Sequence, residues 1–194
     1  MCPRPSLWFN HAILGIELPP EIKAEQYNSA ATYNGKRYII FDPTDEYTPV
    51  GSLCAELQDS YALLVADSGG ELIHTPILPP ETNSITRTGH FVLADDGGLA
   101  GEVSEDRGGD YAMRERGRMH NWDERQRTRY FEHWLGSSIQ GFTLQSMDIQ
   151  QADQLQKDVL IKYKFSTPQY AQQRGPLTLV RPPRTRRHKR IRGT

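Results

Sequence analysis

The sequence predicts an α+β fold dominated by antiparallel strands, and three observations carry that expectation. Short β-rich runs recur from His11 to Val180, separated by Asn-Gly, Asp-Ser-Gly-Gly and Asp-Asp-Gly-Gly turns. One stretch, residues 109–135, changes to a helical period. The chain has 194 residues, 37% of them hydrophobic, with 16 Gly and 13 Pro. A chain of that length buries roughly 70% of its unfolded surface, so a core forms without disulfide staples.

The elements follow in order. Residues 11–17 (HAILGIE) and 36–42 (KRYIIFD) are rich in β-branched and aromatic side chains, and the polar stretch between them carries Pro19-Pro20 and the turn signal Asn34-Gly35. Strands are expected at 61–66 and 71–77 around Asp67-Ser68-Gly69-Gly70. Pro76, Pro79 and Pro80 then interrupt the pattern, which places a domain boundary near 76–83. Beyond it, Ile85, Arg87, Gly89, Phe91 and Leu93 alternate with Thr86, Thr88, His90 and Val92. Asp95-Asp96-Gly97-Gly98 turns that strand into Leu99-Ala100-Gly101-Glu102-Val103, giving a long hairpin with one face partly apolar.

Tyr111, Met113 and Met119 mark a first helix near 109–120, which Gly117 is expected to weaken or end. Asn121, with Glu124 three residues on, reads as a capping box opening a second helix near 122–135. Tyr130, Phe131, Trp134 and Leu135 form its apolar stripe, Asp123 and Arg127 a surface i,i+4 pair, and Gly136 its stop. Strands are then expected at 139–149, at 158–166 and at 177–180. In the second of these, Val159, Ile161, Tyr163 and Phe165 share one face, and Asp158, Leu160, Lys162 and Lys164 the other. No internal repeat is visible.

The charge is unevenly placed. Lys and Arg number 23 against 24 Asp and Glu, a formal net charge of −1. Residues 181–194 hold seven of those bases and no acid, so the other 180 residues carry a net −8. The run Arg184 to Arg192 could contact phosphates, but it has no interleaved aromatics, so a solvated disordered tail is expected and nucleic acid is not an expected partner. No run of about 18 apolar residues is present to span a membrane. Met1-Cys2-Pro3-Arg4-Pro5 precedes no apolar segment of a secretory signal. Cys2 and Cys54 are too few for a disulfide framework or a structural zinc site.

Two local signals bear on chemistry: Phe9-Asn10-His11 opening one strand, and Phe41-Asp42-Pro43-Thr44-Asp45 closing another. On neighbouring antiparallel strands such a His and Asp lie side by side, and the carboxylate can fix the imidazole for general-base work. The plain alternative is a surface histidine and an Asp-Pro turn opener. Elsewhere His74, His90, His120, His133 and His188 show no metal-ligand pairing, and no phosphate-binding or calcium-loop pattern occurs, so neither a metal nor a cofactor is expected. Trp122, Tyr130 and Trp134 could stack on a ligand, but their helical spacing favours a core role.

The order F-N-H … F-D-P-T-D resembles the second and third catalytic motifs of the transglutaminase-like superfamily, whose fold is related to papain. The longer run Phe41 to Gly51 is similar to large bacterial transglutaminase-like proteins with flanking domains of unknown function. Gly70-Glu71-Leu72-Ile73 and Pro76 to Asn83 resemble the linker into their C-terminal β-rich domain. The resemblance covers roughly residues 8–180. It implies that residues 1–77 form the C-terminal half of a transglutaminase-like core, 78–182 a sandwich-like β-rich domain with a helix pair, and 183–194 the basic tail.

By that resemblance His11 is the general base and Asp42 the residue orienting it, with Asn10 and Trp8 lining the site for a peptide or protein substrate. The family's Cys nucleophile, in a Gly-x-Cys context several dozen residues before the His, has no counterpart here. Cys2 lies nine residues before His11 with Pro3 and Pro5 between them, and Cys54 follows Asp42, out of the family's order. The chain is therefore expected to be the C-terminal portion of a longer cysteine acyltransferase or hydrolase, inactive alone. The alternative is a non-catalytic β-rich protein-interaction module.

Overall fold

The computed structural model describes residues 10–67 and 69–180. Cys2, Trp8 and the basic tail lie outside the described residues. The strands are β1 (Leu14–Glu17), β2 (Ala30–Tyr33), β3 (Lys36–Phe41), β4 (Tyr61–Ala66), β5 (Gly69–His74), β6 (Ile85–Leu93), β7 (Leu99–Arg107), β8 (Thr143–Gln150), β9 (Val159–Thr167), β10 (Ala171–Arg174) and β11 (Leu177–Val180). Two helices, α1 (Asp110–Asn121) and α2 (Glu124–Gly136), stand between β7 and β8. The fold is α+β with mostly antiparallel pairing. No helix among the described residues is long and apolar enough to cross a membrane.

The described residues divide into two compact units, one of 10–85 with 107–117 and 151–159, the other of 86–106, 118–150 and 160–180. In the first, β3 is the centre of a three-stranded sheet ordered β1-β3-β2, beside the hairpin β4-β5. Asn34 and Gly35 both hold positive φ, 48° and 74°, which is the geometry of a tight two-residue hairpin turn. Such a turn requires a strand on each side, so the Asn-Gly signal pairs β2 with β3 although Ala-Ala-Thr-Tyr has a modest strand propensity. Tyr38, Ile40, Leu53 and Leu78 form the core, flanked by Ile13, Tyr33, Leu57 and Leu64. A Cβ on Gly15 would stand 3.1 Å from Leu64 Cδ1, so β1 approaches β4 closely at that point.

The later segments of this unit are tied in by polar groups. Arg107 Nη1 and Glu115 Oε2 pair at 2.6 Å, both side chains buried, and the Arg116 guanidinium donates to the carbonyls of Gln154 and Lys157. Gly117 does not end α1, contrary to expectation: a Cβ there would stand 3.5 Å from the Tyr47 ring, and the helix continues past it to Asn121.

The second unit holds a four-stranded sheet ordered β6-β7-β9-β8 and the separate hairpin β10-β11. Strand β9 alternates as expected, burying Val159, Ile161, Tyr163 and Phe165. Phe131 of α2 is fully buried, and Trp134 meets Tyr163 edge-on at 6.0 Å. Trp134 thus packs on the sheet, while Arg118 stacks on Tyr130 with 4.7 Å between guanidinium and ring centre.

The expected cap of α2 is corrected. Asp123 Oδ1 accepts from the Gln126 amide at 2.8 Å, and Gln126 Oε1 accepts from the Asp123 amide at 2.9 Å. Asn121 cannot cap because α1 continues through it, the Trp122 amide still donating to the Arg118 carbonyl at 2.9 Å. With Asp123 used as the cap, Arg127 instead donates to the Met119 carbonyl. Gly136 is the last residue of α2 rather than its stop, and Ser137 caps the end in a right-handed conformation. The turn that follows delays β8 to Thr143, and its pairing with β9 is irregular between Leu144 and Ser146. Strand β10, too polar to stand out in the sequence, pairs with β11 across a turn in which Gly175 has φ 64°.

Candidate functional site

Strands β1 and β3 run antiparallel, with Leu14 opposite Phe41 and Glu17 opposite Tyr38. The chain just before β1 and the chain just after β3 therefore leave the sheet at the same end. This brings together two side chains 31 positions apart: His11 Nε2 lies 2.8 Å from Asp42 Oδ2. The carboxylate is nearly covered, at 9% side-chain exposure, whereas the imidazole remains 39% exposed.

The other carboxylate oxygen, Asp42 Oδ1, accepts from the Thr44 amide at 3.0 Å and from the Thr44 hydroxyl at 2.7 Å. Pro43 fixes φ between them, so Asp-Pro-Thr closes a local turn on its own side chain. Burial alone would raise the Asp42 carboxyl, but the hydrogen bonds from His11 and Thr44 outweigh it and hold the group below the ordinary carboxylate range. Asp45 repeats the device, its oxygens accepting from the Tyr47 amide at 2.9 Å and the Thr48 hydroxyl at 2.6 Å. Asp45 spends both oxygens on its own loop. Asp42 spends one on its loop and one on a histidine.

That difference has chemical content. An ionised carboxylate only accepts, so the ring donates Nε2–H to it, which leaves the lone pair of a neutral imidazole on Nδ1. The side chain is 39% exposed and its Nε2 is tied to the carboxylate, so the ring is held with Nδ1 as its proton acceptor. The structure brings together His11 and Asp42, leaves Asn10 exposed at the surface, and contains Trp8 only outside the described residues. Thr44, which sequence reasoning left unassigned, completes the support of Asp42. Its signal is its place two residues after Asp42, directly behind Pro43.

Cys54 is half-buried and precedes a single three-residue turn of 3-10 helix, Ala55–Leu57. It borders a cavity of about 330 Å³ together with Asp45, Glu56, Asp110 and Met113. Burial pushes its thiol up, and the charges of Glu56, Asp110 and Asp45 add to that against the opposing Leu57 amide. A thiolate nucleophile needs the reverse environment. Asp110 on the same cavity is also raised, first by burial and then by Glu56.

Among the described residues no group of three or more His, Cys, Asp or Glu is placed to hold a metal ion. Trp134 and Tyr130 are engaged by other rings and by arginines in the second unit. No protein-family model, curated protein or solved structure matches this chain.

Proposed function

We propose that residues 10–48 are the His–Asp half of a papain-type acyl-transfer site, and that the chain is the C-terminal portion of a transglutaminase-like cysteine acyltransferase or hydrolase acting on peptide or amide bonds. The hydrogen bond between His11 and Asp42 carries this reading, because it fixes the tautomer that a general base requires while the imidazole stays reachable. In the complete reaction a thiolate attacks the acyl carbon and expels an amine. His11 gives that amine its proton, and an amine or water then takes the acyl group while His11 accepts the proton back. Asp42 holds the ring throughout.

Cys54, with its raised thiol and its place before a single short turn, is not assigned the thiolate, and Cys2 stands only nine residues before His11 with two prolines between them. The purified chain is therefore expected to be inactive. Thiol-dependent incorporation of a primary amine into a glutamine-containing peptide is expected to stay at background. Incorporation that Cys54→Ser and His11→Ala each abolish would contradict the assignment of Cys54. The reading frame upstream of Met1 tests the remainder: an in-frame Gly-x-Cys segment supports it, and a stop codon followed by a ribosome-binding site overturns it.

A second reading, a non-catalytic interaction module, is favoured by one observation. The outer face of hairpin β4-β5 presents Tyr61, Leu63, Val65 and Leu72 at 50–75% exposure. Large apolar side chains on one exposed face mark a surface that binds something.

A further inference from the structure

We infer that β6 is a dimerisation edge, pairing antiparallel with β6 of a second copy about a twofold axis through Gly89. The inference stands apart from the His11–Asp42 reading and uses different residues. In the sheet order β6-β7-β9-β8, β6 and β8 are the edges, and neither has a further strand beside it among the described residues. Soluble proteins blunt such edges with bulges, prolines or lysines, because a row of unpaired backbone groups recruits another strand. Strand β8 is irregular between Leu144 and Ser146. Strand β6 runs nine residues, Ile85–Leu93, with neither proline nor lysine.

Its side chains are also left open. Phe91, Val92 and Leu93 are 52%, 56% and 44% exposed, at the end of an otherwise folded sheet. The occupant is identified by the order of residues in I-T-R-T-G-H-F-V-L. Turned antiparallel about Gly89, the strand sets Ile85 opposite Leu93 and Thr86 opposite Val92 of the other copy. Arg87 then faces Phe91, and Thr88 faces His90. Leu93 gains Ile85 and Val92 gains Thr86 as an apolar or β-branched partner, Phe91 faces the methylene stem of Arg87, whose guanidinium stays on Glu105 and Trp134, and no charge faces its like. The glycine on the axis matters too, since the Phe91 ring already folds back over the space a Gly89 Cβ would fill. Two such rings flank the axis without a clash between side chains at position 89. Re-centring on His90 would stack two imidazoles and leave Ile85 unpaired. Self-pairing of this kind is isologous and closes at two copies.

A single nine-residue strand pair is smaller than the standard interface of about 800 Å² per partner, so association is expected at tens of micromolar. Sedimentation equilibrium of the purified chain across about 1–300 µM is expected to show reversible monomer–dimer exchange. Val92→Lys, on an exposed position, is expected to weaken the dimer at least about tenfold without changing the thermal midpoint. Adding Thr86→Glu to that variant is expected to restore association to within about threefold, because each new carboxylate faces the new ammonium of the other copy. A monomer at every concentration overturns the proposal. So does a dimer indifferent to Val92→Lys, or one that the added Thr86→Glu leaves weakened.

Discussion

Asp42 shows how one side chain can be both a structural and a chemical element. Its two oxygens divide the labour, one closing the turn with Thr44 and the other holding His11. Because its folded-state value lies below the unfolded one, it contributes stability that is fully present above the unfolded carboxylate value of about 4 and is lost as pH falls through the lowered folded value. Thermal melts of the native chain and of Asp42→Asn are expected to differ at pH 7 and to converge towards pH 2. A constant difference across that range would mean that the charge of Asp42 is not what stabilises the loop. The pairing itself was legible in the sequence, since a His before one strand and an Asp after its neighbour must meet if the strands are antiparallel. The role of Thr44 was not. An Asp-Pro-Thr turn looks the same in a sequence whether or not one oxygen is left over for a distant partner.

At the level of elements, the sequence carried the periods better than the boundaries. Strand β9 and the apolar stripe of α2 were readable because burial on one face imposes alternation or helical spacing directly. The cap of α2 was not, because the capping pattern occurs twice, offset by two residues, as Asn121 with Glu124 and Asp123 with Gln126. Only the continuation of α1 through Asn121, closed by the Trp122 amide on the Arg118 carbonyl, decides between them. Asp123→Ala is therefore expected to cost about 1 kcal/mol in chemical denaturation. A loss indistinguishable from zero would return the cap to Asn121. Strands β2 and β10 escaped notice for a shared reason: their alanines and glutamines carry little strand propensity, and each is held by its hairpin turn and partner strand.

For the whole molecule, the arithmetic of charge and the arrangement of strands point to different things. A net −1 conceals a −8 body with seven bases in the last fourteen residues, and that asymmetry bears on solubility and non-specific contacts rather than on the fold. The strand order of the first unit matters more for chemistry, because the antiparallel pairing of β1 with β3 joins His11 to Asp42. At this junction His11 stands as an oriented base, its Nε2 held by Asp42 and its Nδ1 left to accept a proton. Two-dimensional ¹⁵N–¹H correlation of the imidazole nitrogens reads this directly in the neutral ring. In the native chain the His11 proton is expected to be fixed on Nε2, and in Asp42→Ala a mixture of tautomers is expected. A native His11 protonated on Nδ1, or a tautomer mixture that Asp42→Ala leaves unchanged, would contradict that orientation.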